Sequence, residues 1–398
     1  MRFGRYGNWM AAAAGLVLWT SAVFAAGSPA FDHFYNLEYD EALAIFSKEV
    51  AEKPNSAQAH NNLAQTVLFR VMFQHGALES DLIGSAHPFS SRPKLAATAA
   101  ETAQFESAVA KAIELSQTRL ALLPNDPEGL YTLGVALGLR ANWNYLVNKA
   151  WIDPLKDATQ ARKYHLQATT ADPNFHDARL VQGVHDYLIG SLPFTVKMMG
   201  FLAGFRGDRE EGMRTLRLVA TKGDRNKPDA AVLLAAILRR EKKQAEAVPL
   251  LEEMTSRFPR NYLFRFELAL LYADLHDRAK ALAQIDAIEK FRAKGTAGFA
   301  QLTAERVAYM RGQVYFLLRE YDSALPQLWT AAKASVNGDL DANAVAQAWL
   351  RLGQTYDAKG RRQEALAAYK RAVDVGPQTA SGKEAKDYLS SPFKHKAA

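Results

Sequence analysis

Residues 349–377 read WLRLGQTYDAKGRRQEALAAYKRAVDVGP and decide the fold. The pattern predicts two helices joined by a turn at Lys359-Gly360, with Pro377 closing the second helix. Small residues stand at helical spacing among large ones, so two helices can approach closely while the large side chains fill the gaps between them. This stretch therefore predicts one complete helical hairpin. Its packing stripe is Trp349, Leu352, Gly353 and Tyr356 on the first helix and Ala365, Tyr369 and Ala372 on the second.

The signature of the second helix returns along the chain, so we expect about six or seven such hairpins. The spacing of Ala247 and Ala281 matches the period of a two-helix repeat, which is about 34 residues. No stretch shows the strict alternation of apolar and polar residues that is typical of a β-strand. The predicted class is an all-α, right-handed superhelical solenoid with a cap helix over 381–389. The other framework positions are Ala42, Phe46, Leu133, Gly134, Gly183, Leu268, Gly312, Tyr315 and Ala324.

The repeats resemble the tetratricopeptide superfamily over residues 31–391, most specifically at 349–377. The layout is also similar to exported bacterial tetratricopeptide proteins of unassigned function, in YNLEYDEA at 35–42, in the run at 137–165 and in the segment at 190–208. The last of these segments resembles part of the eukaryotic tetratricopeptide proteins linked to inclusion-body clearance. That resemblance implies an adaptor, not an enzyme.

The composition is that of an ordinary folded chain. Of 398 residues, 48% are hydrophobic and 23% are charged, and the net charge of +7 is a mild basic bias. The sequence contains no cysteine, which excludes disulfides, thiol catalysis and a lipidated cysteine.

The first residues are typical of a secretory signal. Arg2 and Arg5 precede an apolar run at 10–19, and small residues follow at 21–26. An uncleaved membrane anchor over 9–26 is the alternative. Both interpretations predict export from a bacterial cytoplasm to the periplasm or the cell envelope. The predicted segments are a signal peptide (1–26), a solenoid (27–391) and a flexible tail (392–398).

Three insertions interrupt the period, near residues 75–95, 140–153 and 187–207. The apolar run YLIGSLPFTVKMMGFLAGF at 187–205 has two open interpretations. It is either a buried hairpin on the inner side of the solenoid or a docking surface for an apolar peptide or a membrane. The basic residues after it form either a lipid-headgroup patch or a solvated helix face. The candidate partner-binding residues are Met198, Met199, Phe201, Arg206 and Arg209.

Patterns of catalytic or metal-binding residues are weak. His176 and His185 are the nearest approach to a metal pair, but their spacing along a helix places them on roughly opposite faces. Trp143, Tyr145 and Trp151 suggest an aromatic ligand box, although we expect them to wedge an insertion against its neighbours. Phosphate loops and serine elbows are missing from the sequence. We therefore predict no enzyme, no cofactor and no nucleic-acid partner.

The leading hypothesis is an exported scaffold that captures a protein or peptide partner on its concave face. The alternative is a peripheral membrane adaptor that uses the 187–205 run and the basic helices after it. For the scaffold, we expect side chains between the framework positions to be exposed in the groove. The examples that the helical register places off the packing stripe are Asn61, Asn62, Arg265 and Arg311.

Overall fold

The computed structural model describes residues 28–78, 94–150, 152–192, 207–299, 302–336, 338 and 340–394. Within those ranges the regular structure consists of 17 α-helices and a short 3-10 helix, with an isolated β-bridge between Val336 and Leu340. The predicted all-α class is confirmed. The chain divides into two compact units between residues 237 and 238.

The first unit begins with helix pairs and contains one 3-10 helix, at His176–Arg179. Its α-helices are α1 (Pro29–Tyr35), α2 (Tyr39–Glu52), α3 (Ala57–Gln74), α4 (Ala99–Leu122), α5 (Pro127–Leu146), α6 (Ile152–Ala171), α7 (Leu180–Gly190), α8 (Arg209–Lys222) and α9 (Lys227–Arg240), whose last three residues belong to the second unit. The second unit continues with α10 (Gln244–Arg257), α11 (Tyr262–Asp274), α12 (Arg278–Ala293), α13 (Ala304–Leu317), α14 (Tyr321–Ala332), α15 (Ala342–Ala358), α16 (Arg362–Val375) and α17 (Ala380–Ser390).

Consecutive helices pack as hairpins. In the part of the chain that the structure describes, seven pairs do so: α1 with α2, α3 with α4, α5 with α6, α7 with α8, α11 with α12, α13 with α14, and α15 with α16. First helices also contact the first helix of the next pair, as α3 contacts α5 and α13 contacts α15. Helix α17 packs on α15 and α16 at the end of the stack. The predicted number of helical hairpins and the predicted cap helix are confirmed within the described residues.

The two helices of a pair come closest at the small framework position. Gly353 on α15 faces Tyr369 on α16, and a Cβ atom at position 353 would overlap the tyrosine ring. The same relation joins Gly312 and Leu328, since a Cβ atom there would lie 2.8 Å from the leucine side chain. Side-chain packing at native density leaves no room for the additional carbon. The spacing of these helices therefore depends on glycine.

Residues 140–146, which the sequence places in an insertion, continue α5 as helix for about two turns. The reason is that the apolar face of α5 extends through them, with Trp143 and Tyr145 buried. The Trp143 ring stacks on Phe105, with ring centroids 4.1 Å apart and an interplanar angle of 12°. Trp143 and Tyr145 are thus part of the core, while Trp151 lies outside the described residues.

The backbones of α7 and α8 touch where the helices cross. A Cβ atom at Gly190 would overlap the backbone of Arg209, and one at Gly212 would overlap the backbone of Tyr187. These glycines are required by packing, as at other close helix crossings. Tyr187, the first residue of the predicted apolar run, is 1% exposed and belongs to the core of this pair.

The framework residues occupy two kinds of environment. Tyr315 is half-buried, and Pro377 is exposed in the turn that follows the end of α16 at Val375. The remaining framework residues are buried: Ala42, Phe46, Leu133, Gly134, Gly183, Ala247, Leu268, Ala281, Gly312, Ala324, Trp349, Leu352, Gly353, Tyr356, Ala365, Tyr369 and Ala372.

His165 on α6 faces Gly134 on α5 as Tyr369 faces Gly353. A Cβ atom at Gly134 would lie 2.8 Å from the imidazole, which is 1% exposed and lies edge-on to Tyr131 at 5.4 Å. Its Nδ1 atom has no hydrogen-bond partner within the described residues. Burial lowers the pKa of His165 to about 4, so the ring is neutral at pH 7.

Replacing Gly353 with leucine should overpack the α15–α16 contact and lower the free energy of unfolding by about 1–3 kcal/mol. The measurement is a urea unfolding curve of the full chain. Ala367→Leu is the matched control because residue 367 is exposed on the same pair and should leave the curve unchanged. An unchanged midpoint for Gly353→Leu would show that the close approach at this position does not exist.

Acidification should destabilise the first unit through His165. Its folded-state pKa of about 4 lies below the ordinary value of 6.5, so the unfolded chain takes up the proton first. Stability that is present above pH 6.5 is therefore lost as the pH falls towards 4. At about 1.36 kcal/mol per pKa unit, the loss is on the order of 3 kcal/mol.

The check is the slope of unfolding free energy against pH between 6.5 and 4. His165→Leu should give a shallower slope than wild type because it removes the titrating ring. His276→Asn, at an exposed histidine, should keep the wild-type slope. Equal slopes for wild type and His165→Leu would contradict the assignment.

Candidate protein-interaction site

The first helices of successive pairs lie side by side within each unit. The residue directly after the small position on these helices lies outside the packing stripe of the pair. An example is Gln313, which follows Gly312 on α13. We call this set of side chains the inner face of a unit, and in a helical repeat it is the surface available for recognition.

A buried polar network closes part of the inner face of the first unit. The Tyr35 hydroxyl donates to Asp229 Oδ1 at 3.0 Å, across 194 residues of sequence. The Asn226 Nδ2 atom donates to the Tyr131 hydroxyl at 3.1 Å and to the Asp177 carbonyl oxygen at 2.8 Å. These bonds join α1, α5, the 3-10 helix and the start of α9, so the chain's own side chains occupy the inner face at these points.

Asp177 holds the turn that precedes α9. Its carboxylate accepts the backbone N–H groups of Asp224, Arg225 and Asn226 at 3.1, 2.9 and 2.8 Å. Burial raises the pKa of the Asp177 carboxyl, and the three N–H donors oppose that shift because they favour the charged form. Arg225 also pairs with Glu128 on α5 at 2.6 Å. The arrangement is structural, since each of these groups is satisfied within the unit.

The expectation that Asn61 and Asn62 are exposed groove positions is wrong. They are 1% and 4% exposed, because α5 packs directly over this side of α3. Asn61 Nδ2 donates to the Thr132 carbonyl oxygen on α5 at 2.9 Å, and Asn62 Oδ1 accepts from Gln58 at 2.7 Å. A polar side chain on this face ties neighbouring first helices together instead of facing solvent.

Arg265 and Arg311 are also less available than the sequence suggests. The Arg265 guanidinium lies 5.0 Å from the centre of the Phe291 ring, and burial lowers the pKa of Arg265. The Arg311 side chain is 14% exposed and pairs with Asp286 at 2.8 Å and with Glu289 at 2.9 Å. Arg265 joins the two helices of its own pair, whereas Arg311 joins α13 to α12, the second helix of the preceding pair.

Of the candidate partner-binding residues, Arg209 is exposed as the first residue of α8. Met198, Met199, Phe201 and Arg206 lie outside the described residues. The basic side chains after them are engaged in part: Arg214 pairs with Glu211, and Arg239 pairs with Asp274 at 2.8 Å.

The described residues contain no group of three or more histidine, aspartate or glutamate side chains that could hold a metal ion. His185 instead contacts the neighbouring Asp186, with Nδ1 and Oδ1 3.2 Å apart. None of the described helices is long and apolar enough to cross a membrane.

The second unit carries a further feature, which we call the Phe393 site. After α17 the chain turns back, and the Phe393 ring packs against Phe316 on α13 and Tyr388 on α17, with ring centroids 5.8 and 5.6 Å apart. The Phe393 backbone N–H donates to Asp357 Oδ2 on α15 at 2.8 Å. The Asp357 side chain is 1% exposed and also pairs with Arg362 at 2.9 Å.

Sequence reasoning missed the Phe393 site, because it placed residues 392–398 in a flexible tail. Residues 392–394 are described and docked, and 395–398 lie outside the described residues. A signal was available in the segment SSPFKHKAA, where one aromatic residue follows a proline in an otherwise polar run. Its partner Phe316 lies on α13, several helices earlier in the chain, so local periodicity could not identify the contact.

The family model that matches the chain is the tetratricopeptide repeat, over residues 346–379. This span covers the hairpin of α15 and α16 and confirms the predicted resemblance. Residues 346–379 therefore match a tetratricopeptide repeat, and within each unit the described helices pack as consecutive hairpins. A comparison with curated protein sequences gives no match.

Solved structures of low sequence identity align with much of the chain. The Cut9–Hcn1 heterotetramer of the APC/C is 16% identical with a TM-score of 0.41, and the alignment covers 90% of this chain and 59% of the other. YrrB, described as a tetratricopeptide protein with an unusual peptide-binding site, is 15% identical with a TM-score of 0.32, over 69% and 99% of the two chains. Human IFIT1 with m7Gppp-AAAA is 12% identical with a TM-score of 0.45, over 96% and 85%.

Proposed function

We propose that the chain is an exported tetratricopeptide scaffold that binds a protein or peptide partner on the inner face of its second unit. The stacked hairpins support a binding role, because helical repeats that pack in series present a continuous surface for recognition. The secretory pattern at residues 1–26 supports export to the periplasm or the cell envelope. The expected partner is a polypeptide, with no cofactor or nucleic acid required.

The observation that carries the proposal is a pair of unused amide oxygens. Gln313 on α13 and Gln347 on α15 each have a buried Oε1 atom without a hydrogen-bond partner in the described structure. Gln313 is on the inner face, Gln347 lies about two turns before Gln354 on the same side of α15, and α13 and α15 are in direct contact. Gln313 is 2% exposed and Gln347 is half-buried, so a ligand reaches the two Oε1 atoms once the side chains that cover them move aside.

A bound peptide would supply the missing donors. A buried polar atom without a partner costs about 1–3 kcal/mol, and a hydrogen bond from a ligand recovers part of that cost. An extended peptide presents backbone N–H groups along its length, so one segment lying across α13 and α15 can donate to both amides.

The test uses affinity capture from a cell-envelope extract with the protein lacking residues 1–26, followed by titration of the purified partner. The double variant Gln313→Leu/Gln347→Leu should weaken binding by about tenfold, because each lost hydrogen bond contributes about 0.5–1.5 kcal/mol. Gln363→Leu, at an exposed position on the second helix α16, should bind like wild type. Equal affinity for the double variant and wild type would reject the inner face of the second unit as the binding surface.

Export is tested separately by fractionation of cells that produce the full chain with an epitope after residue 398. We expect the epitope in the periplasmic or membrane fraction, and we expect replacement of Arg2 and Arg5 by glutamate to reduce that signal, since a positive start is part of a secretory signal. Recovery of the wild-type chain in the cytoplasm alone would refute export.

A further inference from the structure

We propose that the Phe393 site is a receptor for an extended partner peptide with a Pro-Phe pair, and that residues 391–394 are its resident occupant. The inference deepens the proposed function and rests on it in one respect, namely that the second unit binds peptides. It specifies which residues the peptide carries, and it states that the partner competes with the chain's own segment for the site.

The docked segment has the features of a bound peptide. Helix α17 ends at Ser390, and Ser391 has extended backbone angles, with φ −135° and ψ 129°. Phe393 then makes one backbone hydrogen bond, to the Asp357 carboxylate, and places its ring against Phe316 and Tyr388. An anchoring aromatic side chain combined with a charge-assisted backbone hydrogen bond is how an extended peptide is recognised.

The receptor side of this site is held in place by bonds that do not involve the segment. Asp357 accepts from Arg362 Nη1 at 2.9 Å and from the Tyr369 hydroxyl at 2.8 Å. Arg362 in turn donates to the Tyr388 carbonyl oxygen at 2.7 Å, at the end of α17. The carboxylate therefore keeps its position when Phe393 leaves. Because the site is already ordered, less conformational entropy is lost when a new ligand binds.

The aromatic wall is fixed in the same way. The Arg351 guanidinium lies 4.4 Å from the centre of the Phe316 ring, and its Nη1 atom donates to Gln354 Oε1 at 2.8 Å. Gln354 Nε2 donates to Glu384 on α17 at 3.2 Å. Side chains from α13, α15 and α17 thus hold the phenylalanine-binding surface together.

The occupant, in contrast, is weakly attached. Phe393 is half-buried, and Ser391, Pro392 and Lys394 are exposed. A segment with few buried contacts opens locally without unfolding the elements it covers. A partner segment with the same Pro-Phe pair can therefore replace it. The proline favours such an exchange because it restricts the free peptide to extended conformations and so lowers the entropy lost on binding.

The experiment measures fluorescence polarisation of a labelled peptide with the sequence of residues 390–398, SSPFKHKAA. The full chain with Phe393→Ala should bind this peptide saturably, because its own occupant is released. Wild type should bind at least tenfold more weakly, since its segment competes. Lys394→Ala, at an exposed position beside the anchor, should behave like wild type.

A second peptide, in which alanine replaces the phenylalanine, should bind the Phe393→Ala protein at least tenfold more weakly than SSPFKHKAA. A chain lacking residues 391–398 provides an independent receptor with the same expected preference. Absence of saturable binding to both receptors would overturn the proposal, as would equal binding of the two peptides.

Light scattering separates a partner from a second copy of the chain. Dimers of wild type that disappear in Phe393→Ala would show that the occupant is exchanged between copies, and would overturn the assignment to a partner peptide. The test of the Phe393 site and the test of the proposed function have independent outcomes. Loss of peptide binding here leaves the Gln313 and Gln347 result unchanged, and the reverse also holds.

Discussion

The structure depends on one recurring contact, between a small residue on the first helix of a pair and a larger side chain on the second. Gly353 faces Tyr369, Gly312 faces Leu328, and Gly134 faces His165. Because an added methyl group would not fit at these points, the contact sets the distance between the two helices. It also sets the rotation of the first helix, and with it the residues that form the inner face.

This contact keeps its register when the chain between the two helices becomes longer. Gly353 and Tyr369 are joined by a short turn, whereas Gly134 and His165 are nearly twice as far apart in the sequence. The additional chain extends α5 as far as Leu146 and lengthens the connection to α6. An insertion placed at the turn of a hairpin leaves the helix crossing intact, which is why a repeat protein can accept it.

The fold was predictable from the sequence because hairpins depend on local periodicity, and the glycine, alanine and aromatic positions of residues 349–377 record that periodicity directly. The inner face was not predictable, since its contacts are long-range. Asn61 was expected to face solvent, but its partner is Thr132, 71 residues away, and helical register alone cannot show that α5 covers it. The docking of Phe393 on Asp357, across 36 residues, was invisible for the same reason.

The two units cover their polar and aromatic side chains in different ways. An inner face with aromatic and polar side chains must be covered or satisfied, because unpaired buried polar groups are costly. In the first unit the cover is permanent: the bonds of Tyr35, Asn226 and Asp177 are buried and connect several helices, so opening would break many contacts together. In the second unit the cover at the Phe393 site is a short, half-exposed segment whose Phe393 N–H donates to Asp357. Recognition requires a surface that can be uncovered while the fold persists, and this difference favours the second unit as its location.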